Sequence, residues 1–147
     1  MRAACFVLVW SAFLGTAACG IGIRAVPYTA QPSRIDNPQE TLNTLILANT
    51  SAGCITQPTY SGTMLIVKFV CNNGGGNTVL RLDQIASIDL QQSGSWYRVR
   101  VKHRNGAEDF TWSSKSLDDV QRLDDAITAL AAAVKAPPAE NTEASKI

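Results

Sequence analysis

Four cysteines and a single histidine are the side chains of this sequence with the widest chemical range. Thiols bind metals, form disulfides or accept acyl groups, and a histidine can act as an acid or a base near neutral pH. Cys54 and Cys71 lack C-x-x-C spacing and have no neighbouring histidines, so a structural disulfide is favoured over a redox or metal pair. The sequence predicts no metal site and no cofactor.

The single histidine, His103, has one candidate acid–base partner. It precedes the hairpin signal Asn105-Gly106, and Glu108 is expected to face it across the predicted ladder. A His–Glu pair can transfer protons, but at the exposed end of a hairpin we expect a surface pair. The glycine run 74–76 lacks the Lys and Ser/Thr of a phosphate-binding loop and is interpreted as a flexible turn. The sequence therefore predicts a protein that is not an enzyme.

The N-terminus has the layout of a secretory signal. Arg2 precedes an uncharged, largely apolar stretch that ends in Thr16-Ala17-Ala18-Cys19. These last residues resemble the lipobox of bacterial lipoproteins, in which the Cys is diacylated and becomes the mature N-terminus. The resemblance implies a signal peptide over residues 1–18, a lipid anchor on Cys19 and a place in the bacterial cell envelope. Gly20 after the Cys implies, in a diderm cell, the periplasmic side of the outer membrane.

Two other fates of this segment remain open. Thr16 and Ala18 satisfy the small-x-small rule of the general signal peptidase, which would release a secreted protein. A retained membrane anchor is the third alternative, for which the apolar run is short against the roughly 20 residues of a spanning helix. An exported domain lies in an oxidising space, which favours the Cys54–Cys71 disulfide.

Composition favours one small domain between two tails. Removing Arg2 lowers Lys plus Arg from 13 to 12, which equals the 12 acidic residues and makes the mature formal charge zero. That balance argues against a nucleic-acid partner. Residues 19–36 are expected to form the lipidated Cys and a tether, residues 37–136 a single domain, and residues 137–147 a disordered tail.

The domain is predicted to begin with a helix. Asn37 is its cap, Pro38 suits the first turn, and Glu40 is the acidic member of a capping box. The helix should end near Asn49. Its apolar face is expected to contain Leu42, Leu45 and Ile46.

A hairpin follows, and its turn sets its register. Gly62-Thr63 suits a two-residue type II′ turn, which pairs Tyr60 with Leu65. Counting outward from that turn places Cys54 opposite Cys71, at a separation compatible with a disulfide. Pro58 indicates that its strand lies at an edge of the sheet.

A second hairpin is predicted to carry a basic strip on one face of the sheet. Residues 96–103 alternate strictly, and Asn105-Gly106 pairs Val101 with Phe110. The face opposite the core is either a solvated surface or a contact surface for an envelope protein, anionic lipid or cell-wall polymer. The candidate contact residues on it are Trp96, Arg98, Arg100 and Lys102.

A final amphipathic helix is predicted between the cap Ser116 and Pro137, with the acid pairs 118–119 and 124–125 on its solvated surface. The elements describe an α+β domain with about six strands. We expect an antiparallel curved sheet or partly open barrel with an N-terminal helix and a capping C-terminal helix. The layout of residues 64–134 resembles a pleckstrin-homology-like barrel, which implies binding of peptides or lipids.

The leading functional hypothesis is a non-enzymatic cell-envelope lipoprotein that serves as a binding or assembly module. The lipid on Cys19 would hold it to a membrane, and the strip would contact an envelope partner. The alternative is a secreted hydrolase or enzyme inhibitor.

Overall fold

Two antiparallel sheets, two α-helices and two short 3₁₀-helices (Pro32–Arg34 and Leu82–Gln84) make up the part of the chain that the computed structural model describes, residues 22–49 and 54–136. The elements are β1 (Arg24–Ala25), α1 (Pro38–Ala48), β2 (Cys54–Ser61), β3 (Met64–Cys71), β4 (Gly74–Arg81), β5 (Ile85–Ser93), β6 (Trp96–His103), β7 (Phe110–Ser114) and α2 (Leu117–Lys135). The four-stranded sheet has the order β1-β5-β6-β7, and the three-stranded sheet has the order β2-β3-β4. The predicted α+β class is confirmed, and the two-residue β1 is added to the strands that the sequence indicates.

Asn37 caps α1 as predicted, but the Glu40 carboxylate bonds to the Asn37 side chain and not to its backbone N–H, so the full capping box is not formed. The Asn37 side chain accepts a hydrogen bond from the Glu40 backbone N–H at 3.2 Å and donates one to the Glu40 carboxylate at 3.1 Å. Asn49 is the C-terminal cap, as expected. The buried face of α1, which consists of Leu42, Leu45 and Ile46, packs into the core beside α2.

The register predicted for the first hairpin is confirmed. Tyr60 pairs with Leu65 and Cys54 with Cys71, and Gly62 has the positive φ of +58° that its turn requires. The two cysteines form a disulfide, with their Cα atoms 4.0 Å apart. β2 is an edge strand with β3 as its single neighbour in the sheet, as predicted. The backbone N–H that Pro58 lacks is therefore not needed for pairing with a second strand.

The glycine run is part of a strand, so its interpretation as a flexible turn is wrong. Gly74 to Gly76 pair with β3 at the start of β4, after a turn at Asn72-Asn73. A Cβ atom on Gly75 would lie 2.6 Å from the backbone oxygen of Phe69, and one on Gly76 would lie 2.9 Å from the tip of the Phe69 ring. The glycines therefore allow β3 and the Phe69 ring to approach β4 closely.

The second hairpin also has the predicted register. Val101 pairs with Phe110 and Val99 with Trp112, and Gly106 in the turn has a φ of +67°. β7 begins only at Phe110, so residues 107–109 lie outside the ladder. Val99, Val101 and Phe110 are buried, which confirms the expected core face.

One hydrophobic core joins the two sheets and the two helices. Ser116 caps α2 by accepting a hydrogen bond from the Asp119 backbone N–H at 3.1 Å, as expected. The apolar face of α2 closes the core. The fully buried core side chains are Leu42, Leu65, Leu80, Val99, Val101, Phe110, Val120, Leu123, Ala126 and Ile127.

The segment before α1 is not a free tether in its described part. Ala25 of β1 pairs with Gln91 of β5, and the Val26 backbone N–H donates to the Leu90 carbonyl at 2.8 Å. Residues 19–36 were expected to form a tether, but residues 24–35 pack on the domain. The signal segment, Cys19 and the C-terminal tail lie outside the described residues.

Candidate functional site

The four candidate contact residues alternate with buried residues along β6. Val99 and Val101 between them are fully buried, so Arg98 and Arg100 lie on the opposite, outer face of the four-stranded sheet. Trp96 and Lys102 continue the same alternation at the two ends of the strand. The strip predicted from the sequence is thus one continuous surface.

Two of its cations are paired with acids. The Nε and Nη2 atoms of Arg100 each lie 2.7 Å from Oδ2 of Asp109. The Nζ atom of Lys102 lies 3.4 Å from Oδ2 of Asp89. The pairing balances the positive charge at the Lys102 end of the strip.

The Trp96 end of the strip has a different character. The Trp96 side chain is 49% exposed, and the Nζ atom of Lys115 lies 5.3 Å from its ring centroid, within cation–π range. The Nε atom of Arg98 donates to the Ser113 hydroxyl at 3.4 Å, a neutral partner. Lys115 was not identified in the sequence analysis, although extending the Asn105-Gly106 register places it opposite Trp96.

An exposed isoleucine directly before β1 joins this end. Arg24 pairs with Gln92, so Ile23 lies opposite Ser93 when that register continues by one residue, and Ser93 pairs with Trp96. Ile23 is 63% exposed. The surface formed by Ile23, Trp96, Arg98 and Lys115 is called the Trp96 patch below.

His103 is buried, which corrects its expected place on an exposed hairpin end. Only 7% of the residue is exposed. Its Nε2 atom accepts a hydrogen bond from the Arg81 backbone N–H at 3.0 Å, and Nδ1 lies 2.9 Å from the backbone carbonyl oxygen of Glu108. These partners require a neutral ring with its proton on Nδ1. His103 thus connects β4 of one sheet to β6 of the other, and the Glu108 carboxylate is not its hydrogen-bond partner.

The acid pair 124–125 is also buried, so its expected place on a solvated surface is wrong. Asp125 is fully buried and accepts hydrogen bonds from the Tyr28 hydroxyl at 2.8 Å and from the Gln31 backbone N–H at 2.6 Å. Arg34 lies 3.8 Å from the same carboxylate. Burial, followed by the hydrogen bond that the Tyr28 hydroxyl donates to Asp125, raises the pKa of Tyr28.

The neighbouring Asp124 is 4% exposed and accepts a hydrogen bond from the Thr128 hydroxyl at 3.2 Å. Burial raises the pKa of Asp124 to about 6, and the charge of Asp125 acts in the same direction. The two acids therefore have different roles. Asp125 binds the N-terminal segment, whereas Asp124 is held in an environment that disfavours its charge.

Exposed apolar residues also lie at the far end of the three-stranded sheet, Ile55 and Val70 on one face and Phe69 on the other. Ile55 and Val70, which pair across β2 and β3, are 65% and 63% exposed, and Phe69 is 39% exposed. The disulfide closes the same end of the hairpin. We call Ile55, Phe69 and Val70 the hairpin tip.

The described residues hold no group of three or more side chains suited to binding a metal ion. None of the helices within residues 22–49 and 54–136 combines the length and the apolar content needed to cross a membrane. Comparisons of the chain with protein-family models, with curated proteins and with solved structures found no match.

Proposed function

We propose that this protein is a non-enzymatic lipoprotein of the bacterial cell envelope, anchored through Cys19 and acting as a binding or assembly module. The observation that carries the proposal is the Thr16-Ala17-Ala18-Cys19 motif after an apolar N-terminal run. The contact surface in this proposal is the outer face of β6, which comprises Trp96, Arg98, Arg100 and Lys102.

The disulfide supports export. Disulfides persist in oxidising compartments and are rare in a reducing cytosol. With Cys54 and Cys71 paired, and with Cys5 inside the predicted signal peptide, Cys19 is the cysteine left over in the mature chain. An unpaired cysteine directly after a signal sequence is the expected acceptor for a lipid.

The environment of the histidine supports a non-enzymatic role. Both ring nitrogens of His103 are occupied by backbone groups, and the residue is buried, so it offers no accessible base. The open groove along α1 is lined by amides, one carboxylate, a threonine and a leucine, which do not form an acid–base or nucleophile pair. Its lining residues are Asn37, Gln39, Glu40, Asn43, Thr44 and Leu47.

We also propose the finer fold assignment, a partly open barrel of the pleckstrin-homology-like kind. Antiparallel strands in two sheets, followed by a C-terminal helix that covers the core, support this assignment. Fold analogy alone is weak support for a function, so the assignment adds only consistency with a binding role.

The intact mass of the protein from a membrane fraction tests the anchor. We expect the mass of residues 19–147 plus acyl chains, and loss of both the acyl mass and membrane association in Cys19→Ala. A soluble chain with an unmodified N-terminus would contradict the proposal and favour the alternative, a secreted enzyme inhibitor or hydrolase.

Alanine substitutions in the strip test the contact surface. Trp96→Ala and Arg98→Ala should reduce capture of envelope components from membrane extracts, whereas Lys68→Ala, on an exposed position of the other sheet, should not. Unchanged capture by both strip variants would rule out this surface as the binding site.

A further inference from the structure

We propose that the Trp96 patch lies against an anionic lipid bilayer and sets the orientation of the domain on the membrane. The inference rests on the proposed anchor at Cys19 and names the occupant of one end of the strip. The patch comprises Ile23, Trp96, Arg98 and Lys115.

Chain length places the anchor beside the patch. Ile23 follows Cys19 by four residues, and an extended chain spans at most about 14 Å over that distance. One strand, β5, separates Ile23 from Trp96, so the backbones of these two residues are about 10 Å apart at ordinary strand spacing. A lipid on Cys19 therefore holds this end of the four-stranded sheet close to the headgroups.

The packing of the N-terminal segment removes the alternative of a long tether. Ala25 is paired in β1, and Tyr28 and Gln31 are hydrogen-bonded to the buried Asp125. Residues 24–31 therefore cannot extend without breaking these contacts. The domain is consequently held at a short distance from the membrane and cannot reorient freely.

The chemistry of the patch matches a bilayer surface. Tryptophan prefers the interfacial region of membranes, where its ring contacts acyl chains and its N–H contacts water. Arg98 and Lys115 flank the Trp96 ring without an acidic partner within 4.0 Å among the described residues. Cations at this position are attracted to anionic headgroups. Exposed Ile23 adds apolar area on the side nearest the anchor.

The rest of the strip and the hairpin tip fit this role less well. Arg100 and Lys102 are paired with Asp109 and Asp89, so the far end of the strip has little net charge to attract a bilayer. The hairpin tip belongs to the other sheet and is not connected to the anchor by a short chain segment. These surfaces remain accessible to protein partners when the Trp96 patch faces lipid.

Tryptophan quenching on tethered vesicles tests the orientation directly. The chain from Cys19 to Ile147 retains every described element, and Cys19 is its one cysteine outside the disulfide. It can be coupled to maleimide lipid in vesicles of phosphatidylcholine and phosphatidylglycerol, with or without brominated acyl chains. In a Trp112→Phe background Trp96 is the sole tryptophan, and we expect bromination to lower its emission about twofold.

A matched control moves the reporter to the hairpin tip. Val70→Trp, combined with Trp96→Phe and Trp112→Phe, places a tryptophan at another exposed apolar position. Its emission should be the same on brominated and unbrominated vesicles. Arg98→Gln with Lys115→Gln should weaken the quenching of Trp96, and removal of phosphatidylglycerol should do the same.

Trp96 emission that does not respond to bromination, or equal quenching at position 70, would overturn the proposed orientation. The maleimide supplies the tether chemically, so this result does not depend on whether the cell acylates Cys19. An acylated chain with an unquenched Trp96 would leave the lipoprotein assignment standing and remove the inference. A quenched Trp96 in a chain that cells do not acylate would support the affinity of the Trp96 patch for the bilayer and would remove the lipoprotein assignment.

Discussion

At the scale of single residues, Asp125 connects the N-terminal segment to the core. Its carboxylate is fully buried on α2 and receives donors from Tyr28, Gln31 and Arg34. Buried charges in proteins are stable only where donors surround them. Together with the pairing of β1 and β5, this carboxylate explains why a proline-containing segment without apolar periodicity is ordered on the surface of the domain.

Removal of that carboxylate should destabilise the fold. In Asp125→Ala, the Tyr28 hydroxyl and the Gln31 backbone N–H lose their acceptor, which should lower the free energy of unfolding by about 3 kcal/mol. Asp125→Asn keeps one acceptor oxygen and should cost less. Urea unfolding measures the difference, with exposed Asp118→Ala as the control, for which at most about 1 kcal/mol is expected. Equal midpoints for Asp125→Ala and the wild type would contradict this account.

Asp124 should make stability depend on pH in the opposite sense to a salt-bridged acid. Its pKa is raised to about 6 in the folded protein, whereas the pKa of an unfolded aspartate has its ordinary value of 3.8. Between these values the folded state binds more protons than the unfolded state, so the free energy of unfolding falls as pH rises from about 4 to 6. Above about pH 6 this residue causes no further fall in the free energy of unfolding.

The variant Asp124→Asn should remove this dependence. Its amide oxygen can still accept from Thr128, and it has no charge to bury. The variant should be more stable than the wild type at about pH 7.5, and the difference should shrink at about pH 4. Chemical unfolding at both pH values tests this, with Asp118→Asn as the matched exposed control. A stability difference that grows on acidification would show that the sign is wrong.

At the scale of elements, the β3–β4 pair shows why a glycine run can be strand rather than loop. The missing side chains let the Phe69 ring lie over β4, a contact that no larger residue permits. Strand glycines commonly mark places where backbone or side chains approach closely. The run is therefore a packing feature of the hairpin tip.

Two alanine substitutions should differ in their cost to stability, because one new Cβ meets backbone and the other meets a side chain. Gly75→Ala places a Cβ 2.6 Å from the Phe69 backbone oxygen, which cannot move without opening the ladder. We expect a cost of about 1–3 kcal/mol. Gly76→Ala meets the end of the partly exposed Phe69 ring at 2.9 Å, and that ring can rotate away, so the cost should be smaller. Thermal unfolding of both variants gives the order, and the reverse order would refute this explanation.

The disulfide should stabilise the far end of the first hairpin. Its two residues are 17 apart in sequence, and closing a loop of this size contributes about 3 kcal/mol in the chain-entropy model. Cys54→Ser with Cys71→Ser should lower stability by up to that amount. Amide hydrogen exchange should accelerate most at Ile55 and Val70 and least near Leu65, which is buried beside the turn. Uniform acceleration along the hairpin would argue against a local effect.

At the scale of the whole molecule, the two sheets share one core. Leu80 from the three-stranded sheet and Val101 from the four-stranded sheet belong to the same buried cluster, together with Ile127 of α2. His103 adds a hydrogen bond from β6 to β4. The described domain should therefore unfold as one cooperative unit.

A core substitution in one sheet should thus be detected by a probe in the other. Leu80→Ala should lower the free energy of unfolding by about 2–5 kcal/mol. In a Trp96→Phe background, Trp112 of β7 reports on the four-stranded sheet, and far-ultraviolet circular dichroism reports on the whole chain. Both transitions should shift together to lower urea concentration. An unchanged Trp112 transition would show that the sheets unfold separately.

Local rules in the sequence were sufficient for much of this fold. Turn chemistry at Gly62-Thr63 and Asn105-Gly106 determined the registers of both hairpins and, through the first of them, the disulfide. Caps at Asn37 and Ser116 determined where the helices begin. These features depend on neighbours in sequence, so their physical causes can be recognised without knowledge of the rest of the chain.

Tertiary structure alone decided the features that join distant segments. The burial of Asp125 and the order of the N-terminal segment depend on residues more than 90 positions apart, which no local pattern reveals. The partners of His103 and the strand conformation of Gly75 likewise come from neighbouring elements. Polar groups and glycines follow the elements that pack around them, because burial and hydrogen bonding in a folded chain are properties of its three-dimensional contacts.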